Sequence, residues 1–129
     1  MSQFISSISL IVPDYDQAKE FYVNILGFEV VQDVELAPDK RWIVVRPKGA
    51  IETCLVFKRA EKTEELNAIG NQAAGGVLLI LRTNQFEADY LKMKNAGVVF
   101  MEAPRNEPYG KVVIFSDPFG HKWDLIQPA

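Results

Sequence analysis

The chain has 129 residues, 48% of them hydrophobic, which suits one domain with one sizeable core. Its formal net charge is -3, and its 14 basic residues are scattered among 17 acidic ones. Nucleic-acid binders draw most of their affinity from a basic surface that neutralises phosphates, so that class of partner is set aside. One cysteine, Cys54, excludes an internal disulfide; it lies in an apolar stretch and reads as a buried structural thiol. The opening MSQFISSISLIVPD has no basic flank and its apolar run stops at Pro13. Neither a signal peptide nor a membrane span is expected there, and a cytoplasmic location is.

In chain order, residues 8–12 form a short β-rich run. Next, Ala18, Phe21, Tyr22, Ile25 and Leu26 fall at i, i+3, i+4, i+7 and i+8, one apolar stripe of a helix. That helix starts near Asp14 or Asp16, either of which suits the free N–H groups and positive dipole end of the first turn. Gly27 follows the last apolar position, where a left-handed residue is wanted. Residues 41–46 (RWIVVR) and 51–57 read as strands. Residues 59–75 are polar, end in glycine and form a connection, with a helical turn over 61–68.

The pattern then returns at a period near seventy. A shift of 70 places Ala18 on Ala88, Phe21 on Leu91 and Gly27 on Gly97. Residues 77–81 repeat the first run, 111–115 repeat 41–46, and 122–127 repeat 51–57. The second helix is less clean, because Lys92 and Asn95 occupy stripe positions. Asp117-Pro118-Phe119-Gly120 has the residues of a type I turn joining the last two strands. The expected fold is therefore α+β: one domain over 1–129, built of two tandem βαβββ repeats at about 4–58 and 76–128. Each unit buries one sheet face under its helix, and curling of the other faces into a curved mixed sheet leaves a central cup.

The string VPDYDQAKEFYVNILGFEVV, with its acidic helix start, Phe21-Tyr22 and Leu26-Gly27-Phe28, resembles the first-repeat signature of the vicinal oxygen chelate superfamily. This is the group of glyoxalase I, bleomycin and fosfomycin resistance proteins and extradiol dioxygenases. The closing DPFGHKWDLIQ resembles its C-terminal hairpin, and the resemblance spans nearly the whole chain. It implies a glyoxalase-like fold. In the metalloenzymes, metal ligands sit on the first and last strand of each repeat; carried over, those positions fall on Ser7, on Leu78 or Val77, on Glu52 or Thr53, and on Asp124. Two carboxylates, a hydroxyl and a hydrocarbon are a poor set for a transition metal. With no cofactor expected, the resemblance points to a metal-free small-molecule binder of the bleomycin-resistance kind; a homodimer is expected, with a compact monomer as the alternative. The alternative is a glyoxalase I-like lyase or isomerase, or a dioxygenase, with a non-standard divalent metal site. A third reading is an interaction module whose cavity is filled by side chains.

Alternation along the strands selects the remaining candidates. Ile8, Leu10 and Val12 suit packing under the helix, which leaves Ser7 and Ser9 on the other face, to bond a ligand or to bond water and neighbouring strands. Trp42 reads first as core filler; the competing reading sets it beside Arg46 to stack on and pair with a flat or anionic ligand. Tyr109 is either a rim aromatic or part of a Pro108-Tyr109-Gly110 turn. Asp124 stands mid-strand between Trp123 and Leu125, and pairing with Lys122 is its simplest explanation. Glu52 is expected to pair with Arg82 or Arg46; if it converges with Asp124, the two can act as acid and base or hold a hard cation through water. His121, the only histidine, reads as an exposed turn residue.

Overall fold

The computed structural model describes residues 2–129. It is a mixed α+β structure with two mixed sheets, one in each of two compact units, the first ending at Leu66 and the second starting at Asn67. Among the described residues, no helix is long and apolar enough to cross a membrane.

The first unit runs β1 (Ser7–Val12), α1 (Tyr15–Lys19), β2 (Glu29–Ala37), β3 (Lys40–Arg46) and β4 (Cys54–Arg59). Asp14 caps α1 from extended backbone, its carboxylate accepting from the Gln17 N–H at 2.8 Å. Beyond Lys19 the helix widens into π-type turns over Glu20–Ile25 and stops at Gly27, whose φ of 81° is the left-handed conformation expected after a helix end. The sheet order is β1-β4-β3-β2, with β1 parallel to β4 and the other pairs antiparallel. Leu10, Val12, Ile43 and Val45 are fully buried, and Leu55 and Phe57 nearly so. They share one sheet face, on which the Tyr22 ring of the helix lies 5.7 Å from that of Phe57.

One expected strand is shifted. β4 begins at Cys54 and not at residue 51, because Thr53 turns through a left-handed backbone conformation (φ 42°), its hydroxyl donating to the Ile5 carbonyl at 2.8 Å. Ile51 is left 86% exposed, and Glu52 lies in the same exposed bend. Cys54 is half-buried at the strand's first position, not fully buried.

After α2 (Thr63–Ala68), the second unit contains β5 (Val77–Arg82), α3 (Phe86–Asn95), β6 (Val99–Phe100), β7 (Arg105–Glu107), β8 (Gly110–Ser116) and β9 (Lys122–Pro128). The sheet order is β5-β9-β8-β6, with β7 also on β8; β5 is parallel to β9 and the rest are antiparallel. Val113, Phe115 and Leu125 are fully buried. A run of rings links the helix to this face: Phe86 to Tyr90 at 6.1 Å, Tyr90 to Phe100 at 4.7 Å, Phe100 to Phe115 at 6.4 Å and Phe115 to Trp123 at 5.9 Å. The seventy-residue shift fails inside α3. Leu91, placed on buried Phe21, is 58% exposed, and the sheet-facing positions are Phe86, Tyr90 and Met93 at i, i+4 and i+7.

The turn at Asp117 closes as expected, with the Gly120 N–H donating to the Asp117 carbonyl at 3.2 Å. His121 does not behave as expected: it is 1% exposed. The Asp117 carboxylate accepts from the backbone N–H of both Phe119 and His121, at 2.9 and 2.8 Å, and so fixes the backbone of the turn.

Gly110 opens β8 at φ 148°, and a Cβ there would stand 2.4 Å from the Gln127 carbonyl oxygen of β9. Gly97 also has a left-handed φ, but a Cβ there would meet nothing within 4 Å. Gly110→Ala is therefore expected to destabilise by more than about 2 kcal/mol, and Gly97→Ala by about 1 kcal/mol. Urea unfolding of the two variants checks the order; equal losses would contradict it.

Candidate functional site

The side of the second sheet away from α3 carries one charged group in mid-sheet. The β5–β9 and β8–β9 registers set Asp124 between Ile80 and Ile114. Ile80 is 66% exposed, so the row is open at β5. Asp124 itself is half-buried; its Oδ1 is buried and has no hydrogen-bond partner among the described residues. A carboxylate oxygen removed from water without a donor is unfavourable, and native structures leave few such groups.

The expected pairing with Lys122 is not made. The Lys122 ammonium donates to the Gly75 carbonyl at 2.8 Å, tying β9 to the loop before β5. The cation that acts on Asp124 is Arg105 of β7. That guanidinium is already engaged: its Nε donates to both Glu102 oxygens at 3.1 and 2.9 Å and its Nη1 donates to Glu107 at 2.7 Å. Glu102 also accepts from the Ile114 N–H at 3.2 Å, fixing the clamp to β8. These bonds hold Arg105 firmly protonated. Burial pushes the Asp124 carboxyl above its ordinary value; Arg105 opposes that rise and Glu102 reinforces it.

Glu102, Arg105 and Glu107 were not among the sequence candidates. MEAPRNEPYG reads as a Pro-rich loop, and the available signal was the alternation of Arg105 and Glu107, which puts both on one side of a short strand. Tyr109 occupies the turn between β7 and β8 and is 54% exposed. Arg82 is exposed at the end of β5, in register with Ile126.

In the first unit, the face away from α1 carries Ser7, Cys54, Arg46 and Glu29 in one row, and Ser9, Val56, Val44 and Gln32 in the next. Ser9 is exposed and Ser7 half-buried. Trp42 is on this face but is not core filler: it is 40% exposed, and its indole N–H donates to Gln32 Oε1 at 2.8 Å. Arg46 pairs with Glu29 at 3.4 Å, not with Glu52, which projects from the bend before β4.

The positions where the resemblance puts metal ligands do not make a donor set. Ser7 offers a hydroxyl, Leu78 lies in the register break of β5 and offers none, Glu52 is outside its strand, and Asp124 stands alone. Among the described residues, no group of three or more His, Cys, Asp or Glu side chains is placed to hold a metal ion. These residues do not fit the family's transition-metal site, whose ligands are three or four imidazoles or carboxylates.

Comparison with known proteins agrees with this architecture. The family model described as "Glyoxalase/Bleomycin resistance protein/Dioxygenase superfamily" matches residues 4–125. An uncharacterized protein of Shewanella frigidimarina (strain NCIMB 400) is 45% identical over 128 residues, covering 98% of this chain and 95% of that protein. The crystal structure of TnmS3, an antibiotic binding protein from Streptomyces sp. CB03234, superposes with a TM-score of 0.79 at 33% identity, covering 99% of this chain and 98% of the other. A glyoxalase/bleomycin resistance protein from the same organism gives a TM-score of 0.74 at 34% identity, covering 95% and 99%.

A carboxyl whose value is raised by folding contributes stability while it is neutral, below the ordinary 3.8, and loses that contribution as pH rises through the raised value. Asp124→Asn cannot ionise. It is expected to melt about 2–4 °C above the parent at pH 7, with the gap closing as pH falls toward 3. Scanning fluorimetry across pH checks this; a variant that melts lower at pH 7 would show that the ionised carboxylate is satisfied in solution.

Proposed function

Since the chain belongs to the glyoxalase/bleomycin resistance protein/dioxygenase superfamily, we propose that it binds a small organic molecule without a resident transition metal and without chemical turnover. The observation that carries this reading is the donor set: one carboxylate, Asp124, stands in a strand at a family ligand position, and the other positions offer a hydroxyl, a hydrocarbon and an exposed glutamate. The antibiotic-binding neighbour TnmS3, similar over nearly its whole length, supports binding as the task.

On this reading the two units are halves of one domain, copies of one strand–helix–strands plan. The chain works in the cytoplasm, where Cys54 stays a thiol. It works as a homodimer, which would cover the edge strand β2 with its exposed Val30, Val31, Val34 and Leu36. Sedimentation velocity is expected to report twice the 14.5 kDa chain mass; a species of 14.5 kDa would contradict the dimer.

Elemental mass spectrometry of the purified, untagged chain is expected to find far less than one transition metal per chain. A thermal-shift screen is expected to show no specific stabilisation by divalent cations and a concentration-dependent rise with some aromatic or cationic compounds. Ligand at a hundred times its Kd stabilises by about 2.7 kcal/mol, ample to detect. One metal per chain, with stability lost to chelator, would overturn the proposal in favour of lyase, isomerase or dioxygenase chemistry.

A further inference from the structure

We propose that Asp124 is the anchor for a cationic or N–H-bearing group of an otherwise apolar ligand, held against the second sheet between Ile80 and Ile114. The inference rests on the small-molecule reading above and names the chemistry that the site selects.

Three observations lead to it. First, the buried Asp124 Oδ1 lacks a donor among the described residues. The other carboxylate oxygen is not buried in this way, and it is the one that a donor arriving from the open side of the row meets. Second, the local charge is unbalanced. Glu102, Glu107 and Asp124 lie about Arg105, whose fork is committed to the two glutamates, while Arg82, on the same face but exposed at the end of β5, is not among the charges acting on Asp124. Lys122 is drawn away to Gly75, and Lys111, on the opposite parity of β8, pairs with Glu87 of α3. An added cation reduces the excess negative charge, and an added anion meets three carboxylates and an engaged guanidinium. Third, Ile80 and Ile114 are aliphatic neighbours in register, with Ile80 largely exposed, so the body of the ligand is met by hydrocarbon.

The probes are three molecules of one shape: benzylammonium, benzyl alcohol and benzoate, titrated into the full-length protein and followed by amide ¹H–¹⁵N spectra at neutral pH. Benzylammonium is expected to shift the amides of Ile80, Ile114 and Asp124 saturably, benzyl alcohol to shift the same amides more weakly, and benzoate to leave them still. Asp124→Asn is expected to weaken benzylammonium about tenfold. Glu102→Gln, a second variant, keeps Asp124 and frees Arg105 to neutralise it; it is expected to weaken benzylammonium and admit benzoate. Benzoate binding as tightly as benzylammonium, an Asp124→Asn variant that binds undiminished, or no shift at these amides would each overturn the proposal. Shifts confined to other residues would overturn it while leaving small-molecule binding standing; that reading fails separately, if the broader thermal-shift screen is also silent.

Discussion

A parallel pair of strands cannot be closed by a tight turn, and this constraint organises both units. In each, the first strand pairs in parallel with the last, β1 with β4 and β5 with β9. The chain must leave the first strand through a helix, build the rest of the sheet antiparallel, and return to insert its last strand between the first and the strand that precedes it in sequence. The helix covers one face, where Tyr22 meets Phe57 in one unit and Tyr90 and Phe100 meet Phe115 and Trp123 in the other. The last strand becomes an interior strand with neighbours on both sides, and its residues on the face away from the helix stand in mid-sheet.

Asp124 gains its character from that placement. On an edge strand the same carboxylate would be hydrated. Between β5 and β8 it loses water from one oxygen, while the guanidinium that acts on it, that of Arg105, is held by Glu102 and Glu107. A fold optimised for stability alone would place a hydrocarbon at this position, so an unsatisfied carboxylate there is the kind of local conflict that functional sites retain. The metal chemistry of the wider superfamily needs several such donors to converge, and this chain brings one into a strand.

The fold was legible in the sequence because its signals are local and repeated. The Asp14 cap, the glycines at 27 and 97 and the Asp117–Gly120 turn each state a backbone requirement that holds in the structure. The failures came where tertiary contacts decide. Ile51 and Glu52 look like strand residues, but the left-handed Thr53 excludes them. Leu91 fits a helical stripe that α3 presents to water, and His121 follows a turn glycine yet is buried. Asp124 could be singled out from its apolar flanks. Its actual charge neighbours could not, because Arg105 is brought to it by register across β8 and Glu102 is fixed there by the Ile114 N–H.

Folding leaves the Asp124 carboxyl short of a partner. Its side-chain ¹³C carboxyl shift as a function of pH, assigned by comparison with Asp124→Asn, reads this out. A midpoint above the 3.8 of an ordinary aspartate is expected, falling when saturating benzylammonium is present. A midpoint at or below 3.8, unmoved by the cation, would mean that Arg105 already satisfies the group, and the assignment of Asp124 as the binding anchor would be wrong.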